Sequence, residues 1–270
     1  LNPLIVLGPI GMLLVGVLAI EYWRRRSHAG MRLFALGGLV WAAAIIPKVV
    51  LDLTVTPSLY GWFAGSLGFN ASLVALGAYV GLRTGVFECG FTYLAFRRSK
   101  LREATVDEAT AFGIGFGATE AILLALPSLI SLVTFLSNPS LLDGLPPDVR
   151  QAVEAQLYVS PWVLPAPALE RLFTIFIHVF SALLIYASVT KGQLGLFIGA
   201  FAYKSLVDAA APYLQSVLGS SASPVDVYLV ETWVVALGII GLIGSVQLRK
   251  HMPSATQPSS NTEPRTADNG

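Results

Sequence analysis

The sequence predicts an all-α membrane protein: a polytopic bundle of about seven transmembrane helices, N-terminus outside and C-terminus in the cytoplasm. Three observations predict it. Of the 270 residues, 54 % are apolar and only 12 % charged, about half the charged share of a soluble domain. Apolar, nearly uncharged runs recur at the length of ~20 residues that a hydrocarbon core requires. Basic residues collect after alternate runs, as they do in cytoplasmic loops. With 17 Lys+Arg against 16 Asp+Glu the net charge is +1, so no basic field points to nucleic acid. The single cysteine, Cys89, excludes a disulfide framework. The histidines His28, His178 and His251 leave little material for a His-rich metal site.

The first span covers residues 4–20 and carries no charge before Glu21. Its basic cluster, Arg24, Arg25 and Arg26, follows the apolar run, the reverse of a secretory signal, so a retained span is expected. The second, 33–51, is interrupted by Pro47 and Lys48. Residues 68–97 are too few for two spans and long for one; one long, tilted helix is expected. Residues 109–135, 169–189, 194–218 and 227–248 complete the bundle, which occupies residues 1–251. Arg97, Arg98, Lys100 and Arg102 follow the third span, Lys191 the fifth, and Arg249 and Lys250 the seventh. The opposite loops offer Arg150 beside Asp143, Asp148 and Glu154. The extracytoplasmic loop 137–168 contains a short surface helix at 147–158, with Val149, Val153 and Leu157 on one stripe. The tail 252–270, rich in Ser, Pro, Thr and Asn, is expected to be disordered.

Ionisable residues inside spans are costly, so each is a functional candidate. Glu88, Glu120, Glu170, Arg171, His178, Lys204, Asp208 and Glu231 fall there. Glu120 lies about ten residues into its helix, about 15 Å deep at 1.5 Å per residue. Lys204 and Asp208 share a face at i,i+4, as do Glu88 and Thr92, and Phe116 and Glu120. Arg171 and His178, seven apart, share a stripe. Four helices thus aim polar stripes inward, which is how a buried site is built between helices. Gly113 and Gly117 form a G-x-x-x-G pair suited to close helix packing. Lys48, Glu170, Arg171 and Glu231 lie near span ends, from which they can reach the interface.

The runs Val86-Phe-Glu-Cys-Gly-Phe-Thr-Tyr93, Gly113-Ile-Gly-Phe-Gly-Ala-Thr-Glu-Ala-Ile122, Glu170-Arg-Leu-Phe-Thr-Ile-Phe-Ile-His178 and Lys204-Ser-Leu-Val-Asp208 resemble the YhfC family of intramembrane metalloproteases, related to the CAAX- and bacteriocin-processing membrane proteases. The resemblance implies Glu-Glu-x-x-Arg on the third span, a His before a Glu on the fourth, Glu-Arg…His on the fifth and His-x-x-x-Asp on the sixth. It implies one divalent ion, zinc or manganese, which polarises the scissile carbonyl while a glutamate activates water. Carried over, Glu88 and Glu120 are the catalytic carboxylates and His178 and Asp208 the metal ligands. Glu170, Arg171, Lys204, Phe116 and Thr92 surround them.

The departures are specific. Cys89 stands for the second Glu, Thr92 for the Arg, Phe116 for the fourth-span His and Lys204 for the sixth-span His. Two of three expected histidines are replaced, and a Lys204 ammonium can offset the carboxylate charge that a metal would neutralise. Whether the chain is an enzyme therefore stays open. The first reading is a degenerate member without metal that binds a membrane peptide or partner protein. The alternative is an active metallopeptidase with a glutamate base and His178 and Asp208 as ligands. The third is a proton-coupled transporter, although no matching halves are visible. A seven-helix photoreceptor is disfavoured because Lys204 lies on the sixth span. In every case the bilayer is the solvent, in the plasma membrane, and no nucleic acid is a partner.

Overall fold

The computed structural model describes residues 2–218 and 223–252, and all of their regular secondary structure is helical. The helices are α1 (Leu7–Ser27), α2 (Met31–Thr54), α3 (Thr56–Ser66), α4 (Phe69–Thr84), α5 (Gly90–Arg98), α6 (Val106–Ser137), α7 (Pro147–Leu157), α8 (Ala166–Lys191), α9 (Leu194–Ala209), α10 (Ala211–Val217) and α11 (Pro224–Lys250). Among the described residues, six helical runs are long and apolar enough to cross a membrane: Pro3–Ser27, Met31–Thr54, Val106–Ser137, Pro161–Lys191, Leu194–Val217 and Pro224–Lys250. They coincide with six of the seven expected spans.

The expected third span differs. It is helical throughout, but as α4, a π-helical turn Gly85–Cys89 and α5 in succession. A π turn inserts one residue into the helical register, a device frequent at functional sites. Here it brings Glu88 to a buried position in a segment also carrying Arg83, which is why this segment is not among the apolar six.

Local signals set several ends. Thr105 caps α6 with a full capping box: its hydroxyl accepts from the Glu108 N–H, and the Glu108 carboxylate accepts from the Thr105 N–H. The chain leaves α1 and α8 through left-handed residues, His28 and Gly192. Prolines 47 and 127 lie inside α2 and α6.

Helix α6 is the hub, packed on α1, α2 and α8, while α8 also packs on α9 and α11, and α4 on α9. Close approach explains the glycine pair. A Cβ at Gly113 would lie 2.8 Å from Val179 Cα, and one at Gly117 would lie 3.0 Å from the His178 ring. The G-x-x-x-G thus brings α6 against α8 and makes room for the imidazole. Gly113→Leu forces the two helices apart; we expect a loss of about 1–3 kcal/mol, read as thermal unfolding in detergent.

The main core joins Phe96 and Phe112, whose rings lie 4.9 Å apart, to Trp41, Phe116, Leu183 and Tyr186. A second cluster of Ile5, Leu132, Leu142 and Leu157 roots the loop between α6 and α8. The expected surface helix is α7, and Val153 and Leu157 pack into that cluster. Val149, one turn earlier on α7, is exposed, because only the second half of the helix meets the cluster. Met252, expected at the start of the tail, packs on the main core; the rest of the tail lies outside the described residues.

Candidate functional site

The polar stripes meet in a cavity of about 310 Å3, lined by residues of α2, α6, α8, α9, α10, α11 and the π turn. Its organiser is Lys204 on α9, only 4 % exposed. Its Nζ lies 2.8 Å from Glu88 Oε2 and 3.3 Å from His178 Nδ1. An ammonium has donors only, so Nδ1 accepts and the neutral ring carries its proton on Nε2. That proton faces Glu120 Oε2 at 3.0 Å.

Glu120 is held from three sides. Besides His178, the Trp41 indole N–H donates to Oε2 at 2.9 Å and the Arg171 guanidinium donates to Oε1 at 2.6 Å. Arg171 also pairs with Glu170. The expected stripe of Arg171 and His178 is therefore real, and both grip the same carboxylate. Arg171 is buried, so the expectation that it reaches the interface is corrected: Glu120 draws it inward.

Glu88 is bracketed by two ammonium groups, with Lys48 Nζ 2.7 Å from Oε1 and Lys204 on Oε2. Lys48 is the second correction. It is 8 % exposed and turned into the bundle rather than snorkelling, because Glu88 and, at 3.7 Å, Asp208 offer it counter-charge. Thr84 donates to Asp208 at 2.5 Å. Beside this group, Arg83 pairs with Asp52 and donates to the Lys48 carbonyl. Lys204 and Asp208 line the same cavity, as their i,i+4 spacing predicts, but they serve different partners.

Phe116 stacks on His178, with ring centroids 4.7 Å apart and planes at 36°. Thr92 and Cys89 are buried beside Glu88 and Phe116, with a residual space of about 10 Å3 between them. Glu170 and Glu231 also line the cavity and are half-buried.

Sequence reading missed Lys48, Trp41 and Thr84 as members of the site. A signal was present: Trp41 and Lys48 are seven apart and so share a helical stripe. Thr84 gives no such sign, since its partner Asp208 is 124 residues away in the sequence.

The model of the YhfC intramembrane metalloprotease family matches residues 11–229, most of the chain and every element just described up to the start of α11. This chain belongs to the YhfC family. A membrane protein of Bacillus subtilis (strain 168), the uncharacterized YhfC, is 30 % identical over 179 residues, covering 62 % of this chain and 67 % of that protein. No solved structure matches. Membership and the six apolar helices together make the chain a multi-pass integral membrane protein.

The family description implies a metal, and the side chains here do not fit one. Among the described residues, no group of three or more His, Cys, Asp and Glu side chains is arranged to hold a metal ion. The reason lies in the donors. The Nδ1 lone pair of His178 faces the Lys204 ammonium, and Nε2 presents a proton to Glu120. Both Glu88 oxygens face ammonium groups. Asp208 Oδ2 is engaged by Thr84 and Lys48. A catalytic zinc needs three protein ligands with free lone pairs and one open position.

Proposed function

We propose that this chain is a YhfC-family protein in which an ion-pair network replaces the metal centre, and that its cleft binds a membrane peptide or partner protein without cleaving it. The observation that carries this reading is Lys204, whose ammonium lies between Glu88 and His178 Nδ1 where the family pattern expects a histidine. An ammonium offers the carboxylates the positive charge of a cation but cannot activate water or polarise a carbonyl as a Lewis acid. Phe116, at the other expected histidine, adds an apolar ring in place of a ligand.

The remaining residues suit binding. Glu120 is fixed by Trp41, Arg171 and His178, so its carboxylate is anchored instead of free to act as a base. The cavity combines these charges with an apolar side of Leu214, Val230, Trp233 and Val234, a setting for an extended or unwound apolar segment with exposed amides. On this reading Glu88, Glu120, Glu170, Arg171, His178, Lys204 and Asp208 are binding and structural groups. The positively charged ends of α1, α5, α8 and α11 face the cytoplasm of the plasma membrane.

The test is metal content by mass spectrometry of the purified full-length chain, with His178→Ala alongside. Well below one zinc or manganese per chain is expected in both proteins, together with no cleavage of membrane-embedded peptide substrates. About one ion per chain, lost in the variant, overturns the reading and restores the metallopeptidase.

A further inference from the structure

A second cavity, about 820 Å3, lies on the other side of α8 from the charged network. Its size is within the ~300–1,000 Å3 of small-molecule sites, and it shares no lining residue with the charged cavity. Helices α6 and α8 supply its floor through Ile114 and Val179. Helices α1 and α11 supply its walls through Val15, Leu18, Leu242 and Val246.

The walls change character at one end. There Arg26, Arg249 and Lys250 line the mouth. Arg249 is engaged: it pairs with Asp107 at 2.6 Å, donates to Thr110 at 3.0 Å and lies over the Trp23 ring. Arg26 and Lys250 form no ion pair among the described residues; the Arg26 guanidinium meets only the Tyr22 hydroxyl, at 3.4 Å. The mouth is therefore net positive. One turn below Arg249, the Ser245 hydroxyl lines the groove, is buried, and has no hydrogen-bond partner. A buried hydroxyl without a partner is costly, so this oxygen points to a polar group on whatever fills the groove.

The dimensions name the occupant. From Val15 to Arg26 α1 climbs eleven residues, about 16 Å at 1.5 Å per residue. That is half of a hydrocarbon core of about 30 Å, the depth of one leaflet. We propose that the groove is a site for one anionic phospholipid. One of its two acyl chains lies between α1 and α11, its ester region reaches Ser245, and its phosphate sits on Arg26 and Lys250.

The test is native mass spectrometry of the full-length protein in mild detergent, with equimolar phosphatidylglycerol and phosphatidylcholine of the same acyl chains. One phosphatidylglycerol per chain is expected, preferred by roughly tenfold or more, since each basic group near an anionic headgroup contributes about fivefold. Arg26→Gln with Lys250→Gln, both exposed and safe for folding, should abolish the preference. Ser245→Phe, which fills the groove, should lower retention of both lipids. Equal retention of the two lipids by the unmodified protein overturns the proposal, as does a preference that survives the double substitution. Full phosphatidylglycerol retention in Ser245→Phe does the same.

Discussion

Lys204→Met lowers the stability of the purified protein by about 3–5 kcal/mol, the cost of removing one partner from a buried ion pair. The expectation follows from what the ammonium holds. Glu88 keeps Lys48 on Oε1 but loses the positive charge on Oε2. His178 loses the donor that fixes its tautomer, and with it the defined hydrogen bond to Glu120. The methionine occupies similar volume, so lost packing contributes little. Thermal unfolding in detergent reads the effect, with Lys191→Met as the control, since Lys191 is exposed at the end of α8. An unchanged unfolding temperature in Lys204→Met would mean that Lys204 does not neutralise the site.

The second large effect is a gain. Phe116→His together with Lys204→His is expected to give a protein that retains about one zinc per chain through purification. The Phe116 ring is centred 4.7 Å from the His178 ring, and the Lys204 Nζ is 3.3 Å from Nδ1. Imidazoles at positions 116 and 204 therefore approach His178 from two helices, giving three nitrogen ligands, the number a catalytic zinc site takes from protein. Removing Lys204 also frees the Nδ1 lone pair. The order of the changes matters: Phe116→His alone should stay metal-free, because the ammonium still faces Nδ1. Metal analysis of the three variants, each shown to be folded, decides the matter. A folded double variant without metal would sink the idea that the ion pairs occupy a former metal centre.

The difference between these residues and those that sequence reading placed correctly is physical. Apolar runs, caps and i,i+4 stripes are local, so α1, α2, α6, α8, α9 and α11 could be read from periodicity and charge alone. The glycine pair on α6 is of the same kind. The π turn was not legible: nothing in Gly85–Cys89 alone requires it, and it lies where α4 packs on α9 and the turn itself packs on α2 and α9. Lys48 was misread for a related reason. Beside Pro47 near a span end, a lysine has two ways to satisfy its charge, the interface or a buried carboxylate. Only the position of Glu88, forty residues away, chooses between them.

By itself the sequence determined that this protein spans the membrane many times, and that Glu88, Glu120, His178, Lys204 and Asp208 must be reconciled inside it. That much follows from the high cost of charge in hydrocarbon, which leaves few arrangements open to an apolar chain. Which charge meets which was decided by the tertiary structure alone. Lys204 takes Glu88 and His178, Lys48 takes Glu88 and Asp208, and Arg171 with Trp41 takes Glu120. An ion pair depends on distances of a few ångströms between helices, and those distances exist only once α6 has closed on α8 and α9 has settled against the π turn.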